Sequence, residues 1–141
     1  MKVRRYLVLA FNSLLSYCAG LWAYQFVLWL VWEQTMSEGD LRAVQYWAGL
    51  AYVIILVPIY LVICSYITSK IKTGLLRFIL YPLSCAFIFV LPTLFILAAF
   101  GGGSPFSAES FLFYVFFIAT GLVFGLGYAL ITFVERVKAG R

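Results

Sequence analysis

"AVQYWAGLAYVIILVPIYLVICSYITS", Ala43 to Ser69, contains no Asp, Glu, Lys, Arg or His. About 20 apolar residues in helical form cross the hydrocarbon core of a bilayer, and this run is long enough to do so. Three more stretches free of Asp, Glu, Lys and Arg meet the same condition: Tyr6–Trp32, Phe78–Ala108 and Ser110–Val134. Of the 141 residues, 65% are hydrophobic and 11% charged, whereas soluble domains are nearer half and a quarter. These proportions exclude a soluble domain with a polar surface and predict a polytopic membrane protein.

The runs are uniformly apolar, without strand alternation, and every backbone polar group in lipid must be satisfied within its own segment or a closed barrel. The spans are therefore read as helices at 6–32, 43–67, 78–100 and 111–134. The expected fold is all-α, a four-helix transmembrane bundle forming a single integral membrane domain over 1–141. Connections of roughly ten residues suit neighbouring antiparallel helices. The opening "MKVRRYLVLAFNSLLSYCAG" has the basic start of a secretory signal, and "LLSYC" resembles a lipoprotein cleavage box. Tyr17, however, stands before Cys18 where such boxes take a small residue. The apolar run also continues to Trp32, beyond a signal core of about 7–15 residues. The segment is read as a retained helix.

Charge orders the spans. Nine of the ten Lys and Arg, all but Arg42, fall at the N-terminus, in "ITSKIKTGLLRF" (Ile67–Phe78) or in the tail. Arg4, Arg5, Lys70, Lys72, Arg77, Arg136 and Lys138 thus share one side of a four-span chain, with Lys2 and Arg141. Cytoplasmic loops are rich in Lys and Arg, so both termini and the middle loop are expected in the cytoplasm of a cell-membrane protein. The basic loop has no recognisable nucleic-acid module, and nucleic acid is not an expected partner. The lipid bilayer is, and anionic headgroups attract such cations by roughly 1 kcal/mol each near the surface. Trp22, Trp29, Trp32 and Trp47 lie towards the opposite side, with Tyr6 and Tyr66 near the inner boundary. Trp and Tyr anchor helices at the headgroup level.

Candidate chemistry is sparse. No ionisable Asp, Glu, Lys, Arg or His lies within a predicted span, and proton relays, ion-coupled pumps and voltage sensors depend on such groups. Glu33, Glu38 and Asp40 are read as solvated loop acids. Cys18, Cys64 and Cys85 fall inside spans without CxxC spacing, and the chain has no His. They are read as packing residues, with no metal site or cofactor. No base accompanies a nucleophile in a recognisable pattern, so an enzyme is not expected.

Small residues suggest how the spans pack. At about 100° per residue, Asn12, Ser16, Ala19, Gly20 and Ala23 form one stripe, and Gly121, Gly125, Ala129 and Thr132 another, which contains the GxxxG of "GLVFG". Small side chains let helix backbones approach closely in lipid. Depth matching on antiparallel helices sets Gly20 opposite Gly121, Ser16 opposite Gly125 and Asn12 near Ala129, with Gly127 on a different face. Spans one and four are expected to pack within one chain; a homodimer face is the alternative. Pro58 and Pro92 lie inside spans two and three, freeing the carbonyls of Ile54 and Ile88, and predict kinks. Pro82 is placed near a helix start, and "GGGSP" is read as an outer turn.

"RRYLVLAFNSLLSY" and "LLRFILY" open spans one and three, with Arg5-Tyr6-Leu7 aligned to Arg77-Phe78-Ile79, and "LVFGLGYAL" lies near the end. These stretches resemble the GtrA-like family, whose likeness implies translocation of polyprenyl-linked sugars. That family commonly leaves span two through Asn followed by basic and aromatic residues; here the exit is "SYITSKIKTGL". The exit "VPIYLVICSYITSKIK" is similar to small four-span proteins of Bacillus-type bacteria, a likeness that implies no particular function. The preferred reading is a non-enzymatic accessory, regulatory or structural membrane protein, partnered by another membrane protein or by a second copy. The alternatives are a glycan translocase and an immunity protein against a membrane-active toxin.

Overall fold

The computed structural model describes residues 2–35, 37–100, 104 and 106–139. Helix α1 runs from Lys2 to Trp32. Helix α2 (Glu38–Ala51) passes through a π-helical turn, Tyr52–Leu56, into α3 (Val57–Lys70). Helices α4 (Gly74–Phe87) and α5 (Val90–Phe100) are separated by a turn at Ile88–Phe89, and α6 spans Ala108–Ala139. Among the described residues, four helical stretches are long and apolar enough to cross a membrane: Val3–Trp32, Leu41–Lys70, Gly74–Phe95 and Ser110–Lys138. The fold is all-α, and the chain is a small multi-pass membrane protein. The second stretch extends a few residues beyond the expected 43–67 at both ends, and the third begins four residues before the expected 78. Charged residues such as Arg77 fit on a helix end outside the apolar layer, so absence of charge underestimates helix length.

Local chemistry sets the ends. Ser107 caps α6: the Ser110 N–H donates to Ser107 Oγ (3.2 Å), while Ser110 Oγ donates to the Ser104 carbonyl (3.0 Å). At the end of α1, Glu33 takes a left-handed φ of 52° and its N–H closes on the Trp29 carbonyl at 2.8 Å. Gly101, Gly102, Gly103 and Pro105 of the expected "GGGSP" turn, and Arg141 of the basic tail, lie outside the described residues.

The prolines mark the irregularities in spans two and three. Before Pro58, the Val57 N–H bonds to the Tyr52 carbonyl in the wider π pattern, and Ile54, whose carbonyl Pro58 leaves without its α-helical donor, lies inside that turn. The wider turn keeps Tyr52, Leu56, Tyr60 and Cys64 on one buried face despite their spacing of four residues. Pro92 is the third residue of α5, and the break at Ile88–Phe89 falls on the carbonyl it frees. Pro82 corrects its expected place near a helix start. Because α4 begins as early as Gly74, Pro82 is inside that helix and buried.

Consecutive spans alternate in direction. Arg5 meets Glu135 at 3.5 Å and Ser16 meets Thr120, so α1 runs against α6. Cys85 and Pro82 meet Gly121 and Gly125, so α4 also runs against α6. Cys64 and Thr68 meet Cys85 and Tyr81, which sets α3 against α4. This arrangement brings Arg4, Arg5, Lys70, Lys72, Arg77, Arg136 and Lys138 to one end of the molecule. The core is continuous across spans two, three and four: Tyr52, Tyr60 and Cys64, then Tyr81 and Cys85, then Phe124 and Tyr128. Trp22, Trp29 and Trp47 are exposed, as are Tyr6 and Tyr66, as outward-facing membrane anchors would be.

Candidate functional site

The interior polar groups repeat one motif: a tyrosine hydroxyl donates to a serine or threonine hydroxyl, which donates to a backbone carbonyl. Tyr52 OH donates to Ser16 Oγ at 2.8 Å, and Ser16 Oγ donates to the Thr120 carbonyl at 2.6 Å. Thr120 Oγ1 lies 2.9 Å and 3.0 Å from the carbonyls of Phe116 and Phe117. Its one proton is committed there, so in the 3.2 Å contact between Tyr60 OH and Thr120 Oγ1 the tyrosine donates. Thr68 Oγ1 likewise donates to the Cys64 carbonyl at 2.6 Å and takes the Tyr81 proton at 2.9 Å. Ser16, Thr120 and Tyr60 are fully buried. Asn12 completes the set, its Nδ2 donating to the Phe124 carbonyl at 3.0 Å.

Each hydroxyl of the motif has an acceptor for its proton, and every buried side-chain nitrogen and oxygen among the described residues has a partner. Such a network holds helices in register. In lipid an interhelical hydrogen bond contributes about 0.6 kcal/mol, with an upper range near 2 kcal/mol. The rings add contact of their own. Tyr60 lies 5.1 Å from Phe124 and 5.6 Å from Phe89, and Tyr81 meets Tyr128 edge-on at 5.2 Å. Cys64 and Cys85 are free, buried thiols 3.7 Å apart. Among the described residues, no three His, Cys, Asp or Glu gather as metal ligands.

The expected stripes meet differently from their sequence assignment. Spans one and four do pack together, through Asn12, Ser16 and Gly20. Gly20, however, faces Thr120 and Phe116 rather than Gly121. Ser16 bonds to Thr120 rather than lying against Gly125, and Asn12 packs on Gly127 and Phe124 rather than Ala129. Gly121 and Gly125 face α4: a Cβ at Gly121 would overlap the backbone of Cys85 and Ala86, and one at Gly125 the backbone of Pro82 and Tyr81. Ala129 is buried beside a cleft of about 500 Å³ between α4 and α6. The physical reason is that α6 has two close neighbours. At about 100° per residue, Thr120, Phe124 and Gly127 form one face and Gly121, Gly125 and Ala129 the adjoining one. The GxxxG is therefore used inside the chain, against a proline-bearing helix.

Thr120, Tyr52, Tyr60, Tyr81 and Thr68 were not anticipated as a network. A signal existed in the spacing of Tyr52, Tyr60, Cys64 and Thr68, which puts polar tips on one stripe of a span. The cations Arg4, Lys70, Lys72, Arg136 and Lys138 are exposed and Arg77 is half-buried, with Arg77 Nε donating to the Ile71 carbonyl. Comparison with protein-family models, curated proteins and solved structures finds no match, so the family resemblances stand on the short stretches quoted above.

Proposed function

We propose that this protein is a non-enzymatic accessory or structural component of the cell membrane, with both termini and the Lys70–Arg77 segment on the cytoplasmic side. The observation that supports this reading is the repeated Tyr-to-hydroxyl-to-carbonyl motif. The polar groups inside the bundle are directed at one another and at backbone carbonyls, an arrangement that fixes helix positions. The apolar stretches 6–32, 43–67, 78–100 and 111–134 contain no Asp, Glu, Lys, Arg or His, the groups that proton and ion coupling employ within membranes. The cluster of cations at one end supports the orientation.

The test has two parts. Purified protein in liposomes is expected to leave imposed proton and potassium gradients intact, while dissipation above that of empty vesicles contradicts the reading. For orientation, Ser37→Cys and Ser69→Cys are introduced separately into a chain lacking its native cysteines. An impermeant reagent outside the cell is expected to label the first and spare the second. The reverse pattern contradicts the assigned sidedness.

A further inference from the structure

The cleft between α4 and α6 lies at the cationic end of the bundle. Its walls are Leu75 and Phe78 on α4 and Leu130 and Phe133 on α6, and Arg77 and Arg136 also line it. The volume, about 500 Å³, falls within the range of small-molecule sites. Leu75, Leu130 and Phe133 are 75%, 55% and 61% exposed, so the cleft opens sideways, where lipid surrounds a membrane-spanning helix. Its residues cover 74–81 on α4 and 129–137 on α6, a depth of roughly 10 Å at 1.5 Å per residue.

We propose that this cleft binds an anionic phospholipid, its phosphate held by Arg77 and Arg136 and part of one acyl chain lying along the apolar walls. The charges are complementary. Among the described residues no carboxylate lines the cleft, and Glu135, the neighbour of Arg136, is paired with Arg5. Guanidinium forks suit phosphate oxygens. Below the arginines, the hydroxyls of Tyr81 and Thr132 are already bonded, to Thr68 and to the carbonyls of Tyr128 and Ala129. The floor thus favours hydrocarbon over a wholly polar ligand, which selects an amphiphile over free phosphate. The proposal follows from the chain being a membrane protein and is independent of the accessory role.

The experiment is native mass spectrometry of the full chain released from detergent, titrated with phosphatidylglycerol, with phosphatidylcholine of the same acyl chains, or with inorganic phosphate. One phosphatidylglycerol is expected to be retained in preference to phosphatidylcholine. Arg136→Gln is expected to weaken that retention about fivefold, and Arg77→Gln with Arg136→Gln about 25-fold, from the usual attraction per cation. Arg4→Gln with Lys138→Gln, which removes the same charge from the same end outside the cleft, is expected to leave retention unchanged. Ala129→Leu, which fills the cleft without changing charge, is expected to weaken retention of both lipids. Equal loss in the two double variants would show diffuse attraction and overturn the site. Effective competition by inorganic phosphate would overturn the lipid assignment, as would equal retention of the two lipids. Because Arg77 also bonds to the Ile71 carbonyl, unchanged retention in the exposed Arg136→Gln variant is by itself sufficient to reject the proposal.

Discussion

Ser16 occupies the middle of a relay, and the two ends of that relay fail differently when it is cut. Ser16→Ala removes the bond to the Thr120 carbonyl and leaves the buried Tyr52 hydroxyl without its acceptor. Tyr52→Phe removes one donor and leaves Ser16 bonded to Thr120. The serine change is expected to cost about 1–2 kcal/mol and the tyrosine change about 0.5–1 kcal/mol. The double variant is expected to cost less than the two singles together, because it orphans no hydroxyl. Unfolding of the purified protein in mixed micelles measures all three, and strict additivity would show that the two hydroxyls do not act on each other. Little of this relay was legible beforehand. Asn12 and Ser16 stood out because they are polar in an apolar run, whereas tyrosine in a membrane helix is read first as an interfacial anchor. That reading suits Tyr6 and Tyr66, both exposed, but not Tyr52, Tyr60 and Tyr81, which are turned inwards.

At the scale of the element, α6 carries two close approaches on adjoining faces, and they differ in kind. The neighbours of Gly125 are backbone atoms of Pro82 and Tyr81, which cannot step aside. The neighbour of Gly127 is the side chain of Asn12, which can, at the expense of its bond to the Phe124 carbonyl. Gly125→Ala is expected to cost about 1–3 kcal/mol as overpacking, whatever stands at position 12. Gly127→Ala is expected to cost about 1 kcal/mol in the native background and markedly less once Asn12→Ala has removed the obstruction. A double-mutant cycle on unfolding free energies checks this, and a Gly125→Ala penalty that vanishes with Asn12→Ala would place Gly125 on the wrong neighbour. The spans themselves were legible because lipid demands long uncharged runs. Which helix each small-residue face meets was not, since close approach requires the same small residues against any partner. Depth matching found the antiparallel pair of spans one and four but slipped its register, and it missed α4, where Pro82 sits too deep in the helix to be read as an end.

For the whole molecule, the arrangement has α6 as a shared wall, with α1 on one face and α4 on the next, and Arg4, Arg5, Lys70, Lys72, Arg77, Arg136 and Lys138 at one end. Cation asymmetry was fully legible because it depends only on which loop each Lys or Arg occupies, whereas lateral order depends on contacts that no single run of sequence specifies. Disulfide trapping in a chain lacking Cys18, Cys64 and Cys85 tests that lateral order most directly. Asn12→Cys with Gly127→Cys places two thiols where the Asn12 side chain now fills the space over Gly127. This pair is expected to crosslink rapidly within one chain under mild oxidation in native membranes, while Asn12→Cys with Ala129→Cys, whose second position faces α4, is expected not to. Crosslinking of the Ala129 pair in preference to the Gly127 pair, or crosslinks found only between two chains, would contradict the account.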